Sequence, residues 1–168
     1  KFFYGYAIVT AAFTIIVVGM GAFYSFGVFF EPVLVEFGWA RAMTSGSFSL
    51  SLILVALLGM GAGKLNDRFG PRRLVTASSF VLGLGYLLMS QISDIWQLYL
   101  FYGVIISIGF TANFIPLVST TARWFTKRRS MMTGIILAGI GAGALVIPLF
   151  ANWLISSYGW RIAFTGMG

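Results

Sequence analysis

The chain contains no cysteine and no histidine among its 168 residues. The missing cysteines exclude a disulfide scaffold, an iron–sulfur cluster and a thiolate zinc site. The missing histidines exclude His-ligated haem and nucleophilic catalysis of the Ser-His or Cys-His kind. Charge is nearly as scarce. Only 9% of the residues are charged, and only four are acidic, where a soluble domain carries about 25% charged residues. With 59% hydrophobic residues and a mean hydropathy of +0.94, the chain cannot cover a water-facing surface. A soluble globular protein and a disordered one are both excluded. Eleven basic residues give a net charge of +7. On so apolar a chain that excess points to membrane topology rather than to nucleic acid. The expectation is an all-α polytopic membrane protein that is not an enzyme and holds no cofactor.

Crossing a bilayer core in helix takes about 20 apolar residues. Five stretches qualify, at about residues 7–30, 43–63, 74–93, 96–121 and 131–156. A sixth begins at 161 and is cut off at Gly168. With no initiator Met either, the chain reads as a fragment of a longer protein, truncated in helix six. Lys1 stands alone and the first stretch is too long for a signal-peptide core, so no cleaved signal is expected. The loops between the stretches are short. Lys64, Arg68, Arg72 and Arg73 lie between spans two and three; Arg123, Lys127, Arg128 and Arg129 lie between spans four and five. The alternate loops hold Glu31, Glu36, Arg41, Asp94 and Arg161. Counting Lys1, nine of the 11 basic residues fall on one side. The positive-inside rule makes that side cytoplasmic, with the N-terminus there, in an inner or plasma membrane. Trp39, Trp96, Trp124 and Trp160 lie near span ends, as an aromatic belt requires.

The chain also resembles itself. A shift of 89 lays Leu65, Phe69, Gly70 and Arg72 on Leu154, Tyr158, Gly159 and Arg161. A shift of 88 lays the run from Arg41 to Gly46 on the run from Arg129 to Gly134. Both shifts carry span two onto span five. Three spans separate the copies, so the second runs through the membrane in the opposite sense. Inverted three-helix repeats are characteristic of secondary transporters.

No charged residue lies inside any of the five spans. Such residues mark ion pathways and proton relays. Glycines are frequent there, and small residues let helices approach closely in lipid. Pro116 and Pro148 interrupt spans four and five. Near Pro116 stands Asn113, the most polar residue deep in the membrane, with Tyr24 and Ser25 at comparable depth in span one. Two readings stay open for Asn113 and Ser25: a polar patch on a solute path, or hydrogen bonding between helices.

The segment from Gly63 through Asp67, Arg68, Phe69, Gly70, Pro71 and Arg72 to Arg73 resembles the G-x-L-x-D-R-x-G-x-R-[RK] motif of the major facilitator superfamily. The resemblance implies a cytoplasmic gate. Gly63 permits a close helix contact and Gly70 a tight turn. Asp67 faces the start of a helix in the opposing domain, and Arg68 and Arg72 pair with carboxylates or helix carbonyls. The run from Arg123 to Arg129, leading into Thr133-Gly134 and Ala138-Gly139, resembles a signature of the monocarboxylate transporters and of the related oxalate–formate antiporters. Tyr158-Gly159-Trp160-Arg161 looks like theirs as well. There are departures: the acidic-Gly-Gly-aromatic signature and the membrane lysine of the animal monocarboxylate carriers are absent from span one, and Met132 stands where Ala is usual.

The resemblance implies the N-terminal six-helix bundle, a 3+3 inverted repeat, of a secondary active transporter for small organic anions. Lactate, formate or oxalate-like acids are its expected substrates. Tyr24 and Phe114 match aromatic cage positions and, with Asn113, are the expected substrate-binding residues. The expected gate residues are Gly63, Asp67, Arg68, Gly70 and Arg72. The expected partners are the organic anion, the lipid bilayer and the C-terminal half of the same carrier, with no nucleic acid. Proton symport and anion exchange stay open, as does a carrier-fold protein for a drug or sugar, or one that acts as a sensor.

Overall fold

The long apolar runs leave the backbone no water to bond, and a helix satisfies its own N–H and C=O groups. A computed structural model describes residues 4–124 and 129–168, and among them every regular element is helical. Helix α1 spans Tyr4–Tyr24 and α2 spans Phe26–Phe37. Helices α3, Arg41–Phe69, and α4, Pro71–Met89, follow. A short α5, Ile95–Leu98, runs into a π-helix, Tyr99–Ile106, and then into α6, Ser107–Trp124. Helix α7 spans Arg129–Tyr158 and α8 spans Trp160–Met167.

Among the described residues, four segments are long and apolar enough to cross a membrane: Val9–Phe37, Arg41–Phe69, Ile95–Thr120 and Ser130–Tyr158. They fall on predicted spans one, two, four and five. Span one runs on to Phe37 and span two to Phe69, well past their expected ends. Helix α4 occupies the place of the third predicted span but is not among these four. It has 19 residues, and Arg72, Arg73, Thr76, Ser78 and Ser79 dilute its apolar run. Helix α3 has 29 residues, about 43 Å at the rise of an α-helix. A hydrocarbon core is about 30 Å thick, so the turns holding Lys64, Asp67 and Arg68 continue the helix beyond it. The stretch from Gly63 to Phe69, read from sequence as loop, is helix. The connection between α3 and α4 is the single residue Gly70.

Two helix pairs organise the bundle. Helix α1 packs along α7, and α3 packs along α6 and the π-helix. Under the three-span offset the first pairing, of spans one and five, is the counterpart of the second, of spans four and two. Close approach needs bare backbone at the first crossing. A Cβ on Gly143 would strike the Val17 carbonyl, and one on Gly21 would lie 2.6 Å from the Gly143 carbonyl oxygen. Spans one and four are the inner helices and spans two and five the outer. The most apolar 18 residues of the inner pair are 44% and 50% buried, against 11% and 22% for the outer pair.

The turns bear out the inverted repeat at the level of the backbone. Gly70 adopts φ 80° and ψ 152°, and Gly159 φ 86° and ψ 160°. This region is essentially open to glycine alone. The Gly70 N–H donates to the Asn66 carbonyl at 3.0 Å, and its carbonyl accepts from Leu74 at 3.3 Å. The Gly159 N–H donates to Ile155 at 2.9 Å, and its carbonyl accepts from Ala163 at 3.1 Å. All four bonding partners and both glycines obey the offset of 89 read from the sequence.

Among the described residues, aromatic packing is dense in the half of the bundle away from the basic loops. Phe29 stacks on Phe164 with ring centroids 3.8 Å apart. Phe26 stacks on Phe48 at 5.4 Å, and Phe37 on Trp39 at 4.4 Å. Phe29, Tyr102 and Phe164 are among the largest fully buried side chains.

Candidate functional site: an aromatic path between two differently built ends

Span one is discontinuous. Helix α1 stops at Tyr24 and α2 starts at Phe26. Ser25 between them is buried, and its hydroxyl donates to the Gly21 carbonyl at 2.7 Å. This local bond competes with the helix ladder and favours a bend. Of the two readings open for Ser25, the structure shows neither a solute path nor a bond to another helix; the hydroxyl turns back on its own chain. Its neighbour Tyr24 points the other way and is 46% exposed.

The sequence-predicted substrate residues separate into two groups. Tyr24 lies edge-on to Phe23 at 5.9 Å. Phe23 stacks on Phe110 at 4.5 Å, and Phe110 on Phe114 at 6.1 Å. A ladder of rings thus joins Tyr24 on α1 to Phe114 on α6. Asn113 lines a small pocket with Phe110 and Phe114 but bonds elsewhere. It is buried, and its Nδ2 donates to Ser79 Oγ on α4 at 2.7 Å. With Thr14, Ser79 and Tyr86 it borders a cavity of about 320 Å³ between α1, α4 and α6.

The gate residues sit at the basic end, on the last two turns of α3 and the first turn of α4. Asp67, Arg68 and Arg72 are exposed. The Arg68 guanidinium lies 5.6 Å from the ring centroid of Phe69. Gly63 has open space around it, so its close helix contact is not made within this bundle. Asn66, beside Asp67, is buried and donates to Ser119 Oγ on α6 at 3.2 Å. Of the second motif, Phe125, Thr126, Lys127 and Arg128 lie outside the described residues, as do the side chains of Arg123, Trp124 and Arg129. Lys1 lies outside them too.

The opposite end carries an arrangement that the sequence reading did not assign. Arg161, in the first turn of α8, pairs with Glu36 near the end of α2, with Nη2 at 2.8 Å from Oε1. It also donates to the carbonyls of Ser90 at 3.1 Å and Ile92 at 3.3 Å. The Trp160 indole N–H donates to the other Glu36 oxygen. The guanidinium lies 4.5 Å from the Trp160 ring centroid, within cation–π range. One arginine therefore ties together the end of span one, the turn after α4 and the start of the sixth helix. The sequence held one sign of it: Gly159 and Arg161 are the repeat partners of Gly70 and Arg72.

An apolar all-helical chain, built from an inverted repeat with outer and inner helix pairs and free of charge inside its spans, has the architecture of a secondary transporter half. The Major Facilitator Superfamily description matches residues 11–168. The chain belongs to that superfamily, and its likeness within it is to the monocarboxylate transporters. Monocarboxylate transporter 13 of Bos taurus is 32% identical over 94% of this chain and 37% of its own length. Monocarboxylate transporter 11 of Homo sapiens is 28% identical over 98% of this chain and 35% of its own. The MFS-type transporter YhjX of Escherichia coli (strain K12) is 26% identical over 89% of this chain and 37% of its own. The chain thus spans little more than a third of the curated relatives it matches.

Proposed function

We propose that this chain forms half of a carrier that moves small organic anions, monocarboxylates foremost, by alternating access. The observation that carries the reading is the aromatic ladder from the exposed Tyr24 to Phe114, set in spans without a single interior charge. Such a wall suits a small apolar acid and leaves the capture of its carboxylate to a cation in the other half of the carrier. The names of the relatives agree with that substrate class. The basic end would face the cytoplasm, with the N-terminus, in accordance with the positive-inside rule. Asp67, Arg68 and Arg72, exposed in this half, would engage the C-terminal half when the cytoplasmic side closes, with Gly63 at the helix contact and Gly70 at the turn. Tyr24 and Phe114 would line the solute path, and Asn113 would border it from behind, bonded to α4.

The full-length carrier in proteoliposomes, supplied with labelled lactate, formate and oxalate with and without a pH gradient, tests this. Uptake driven by the gradient marks proton symport. Counterflow without it marks exchange. Transport of none of the three acids overturns the reading.

A further inference from the structure

We propose that Tyr102 is a positioning residue for Tyr24, acting through a hydrogen bond that clasps the break in span one. The inference rests on the reading of Tyr24 as part of the solute path. The local feature at Ser25 is its hydroxyl bonded back to the Gly21 carbonyl; residues 23–26 are Phe, Tyr, Ser and Phe, and Pro32 lies two turns further on. A second hold reaches it from outside span one. Tyr102 reaches it from the π-helix, and its hydroxyl donates to the Phe23 carbonyl at 2.7 Å.

The ring of Tyr102 is 1% exposed. It packs against Phe26 with centroids 4.4 Å apart and against Phe23 at 5.9 Å, so it touches both sides of the break. Phenylalanine would fill the same space. The hydroxyl is the only polar part, and burying it is unfavourable unless it is bonded. Its partner is the carbonyl of Phe23, two residues before Ser25. The π-helix contributes as well. One added residue re-aims a helix face by about 100°, and the π-helical stretch carries Tyr102 directly across from the break.

Tyr24 depends on this clasp. Phe23 is enclosed by Tyr102, Phe48 and Phe110, while the adjacent Tyr24 is exposed. The backbone between Phe23 and Phe26 therefore sets where Tyr24 points. The clasp fixes that backbone without touching solute.

The test uses the full-length carrier with Tyr102→Phe, Tyr24→Ala and both together. KM and kcat are measured with the best transported of labelled lactate, formate and oxalate, and Tm is measured on the purified protein. Tyr102→Phe should raise KM about tenfold, the scale of a misplaced contact, with kcat and Tm nearly unchanged. In the Tyr24→Ala background it should change KM no further. A similar loss in both backgrounds, together with a lowered Tm, would show mere packing and overturn the proposal. If Tyr24→Ala alone leaves KM unchanged, the reading of Tyr24 fails instead. The clasp is then decided without transport. This chain has no cysteine of its own, so once any thiols in the rest of the carrier are replaced, Tyr24→Cys places a single thiol at the break. Its labelling rate by a water-soluble maleimide should change several-fold when Tyr102→Phe is added. Equal rates would overturn the clasp.

Discussion

The turns at the two ends of the bundle share a backbone and differ in what their arginines do. Gly159 and Gly70 have matching dihedrals and matching hydrogen bonds. Arg161, two residues after the first, is bound to a carboxylate and two carbonyls inside the chain. The side chain of Arg72, two residues after the second, makes no hydrogen bond or ion pair among the described residues, while its carbonyl accepts from the Thr76 hydroxyl. The cause can be read in the repeat. Glu36 sits at the outer end of span one, and an offset of 88 carries it to Trp124 at the end of span four. An acid therefore faces one arginine, whereas the sequence has no acid at the position equivalent for the other. The same turn serves as a fastening at one end and, on our reading, as a contact with the opposing half at the other. Alternating access needs that asymmetry: each half must hold together while the surface between halves opens and closes.

The largest effect should come from the gate residues. Asp67→Asn or Arg72→Ala should slow transport between about fivefold and a hundredfold, the range of coupling energies between sites, with little change in KM. Normal transport in both variants would remove the gate assignment. Next come the glycines. Alanine at Gly159 or Gly70 must enter a region closed to L side chains, at about 1–3 kcal/mol. Both variants should show a lowered Tm, and a loss in only one would break the equivalence of the turns. Arg161→Ala should then cost about 1–2 kcal/mol through its lost carbonyl bonds, the half-exposed Glu36 pair adding little. Thermal unfolding of this variant beside Arg72→Ala sharpens the comparison, since only the first should shift. The smallest effect is expected at Asn113→Ala, about 0.6 kcal/mol for one interhelical bond in a bilayer. Unchanged substrate preference in that variant would make Asn113 a tie to α4. An altered preference would return it to the solute path.

What could be read from the sequence follows from how narrow each requirement is. A turn in a glycine-only conformation leaves a glycine behind, so Gly70 and Gly159 announced both the joints and the repeat. Charge is excluded from hydrocarbon, so spans one, two, four and five stood out as apolar runs. The gate motif was visible because several residue types must recur at set spacing. The break at Ser25 was not visible, because serine is common in membrane helices and does not by itself mark a bend. Nor was the π-helix, since hydropathy records which residues are apolar and says nothing about hydrogen-bond register. The direction of Asn113 depends on Ser79, 34 positions away, and either fate was open to it. Glu36 and Arg161 read as loop charges because their pairing joins residues 125 positions apart.

The one-residue connection at Gly70 has a mechanical consequence. A long flexible loop would absorb motion of one helix before its neighbour felt it. Here α3 ends and α4 begins on either side of a single set of dihedrals. Any tilt of α3 is delivered to α4 with no slack, like torque through a fixed coupling. An insertion of even one or two flexible residues after Gly70 would leave every contact in place and still let the two helices move out of step.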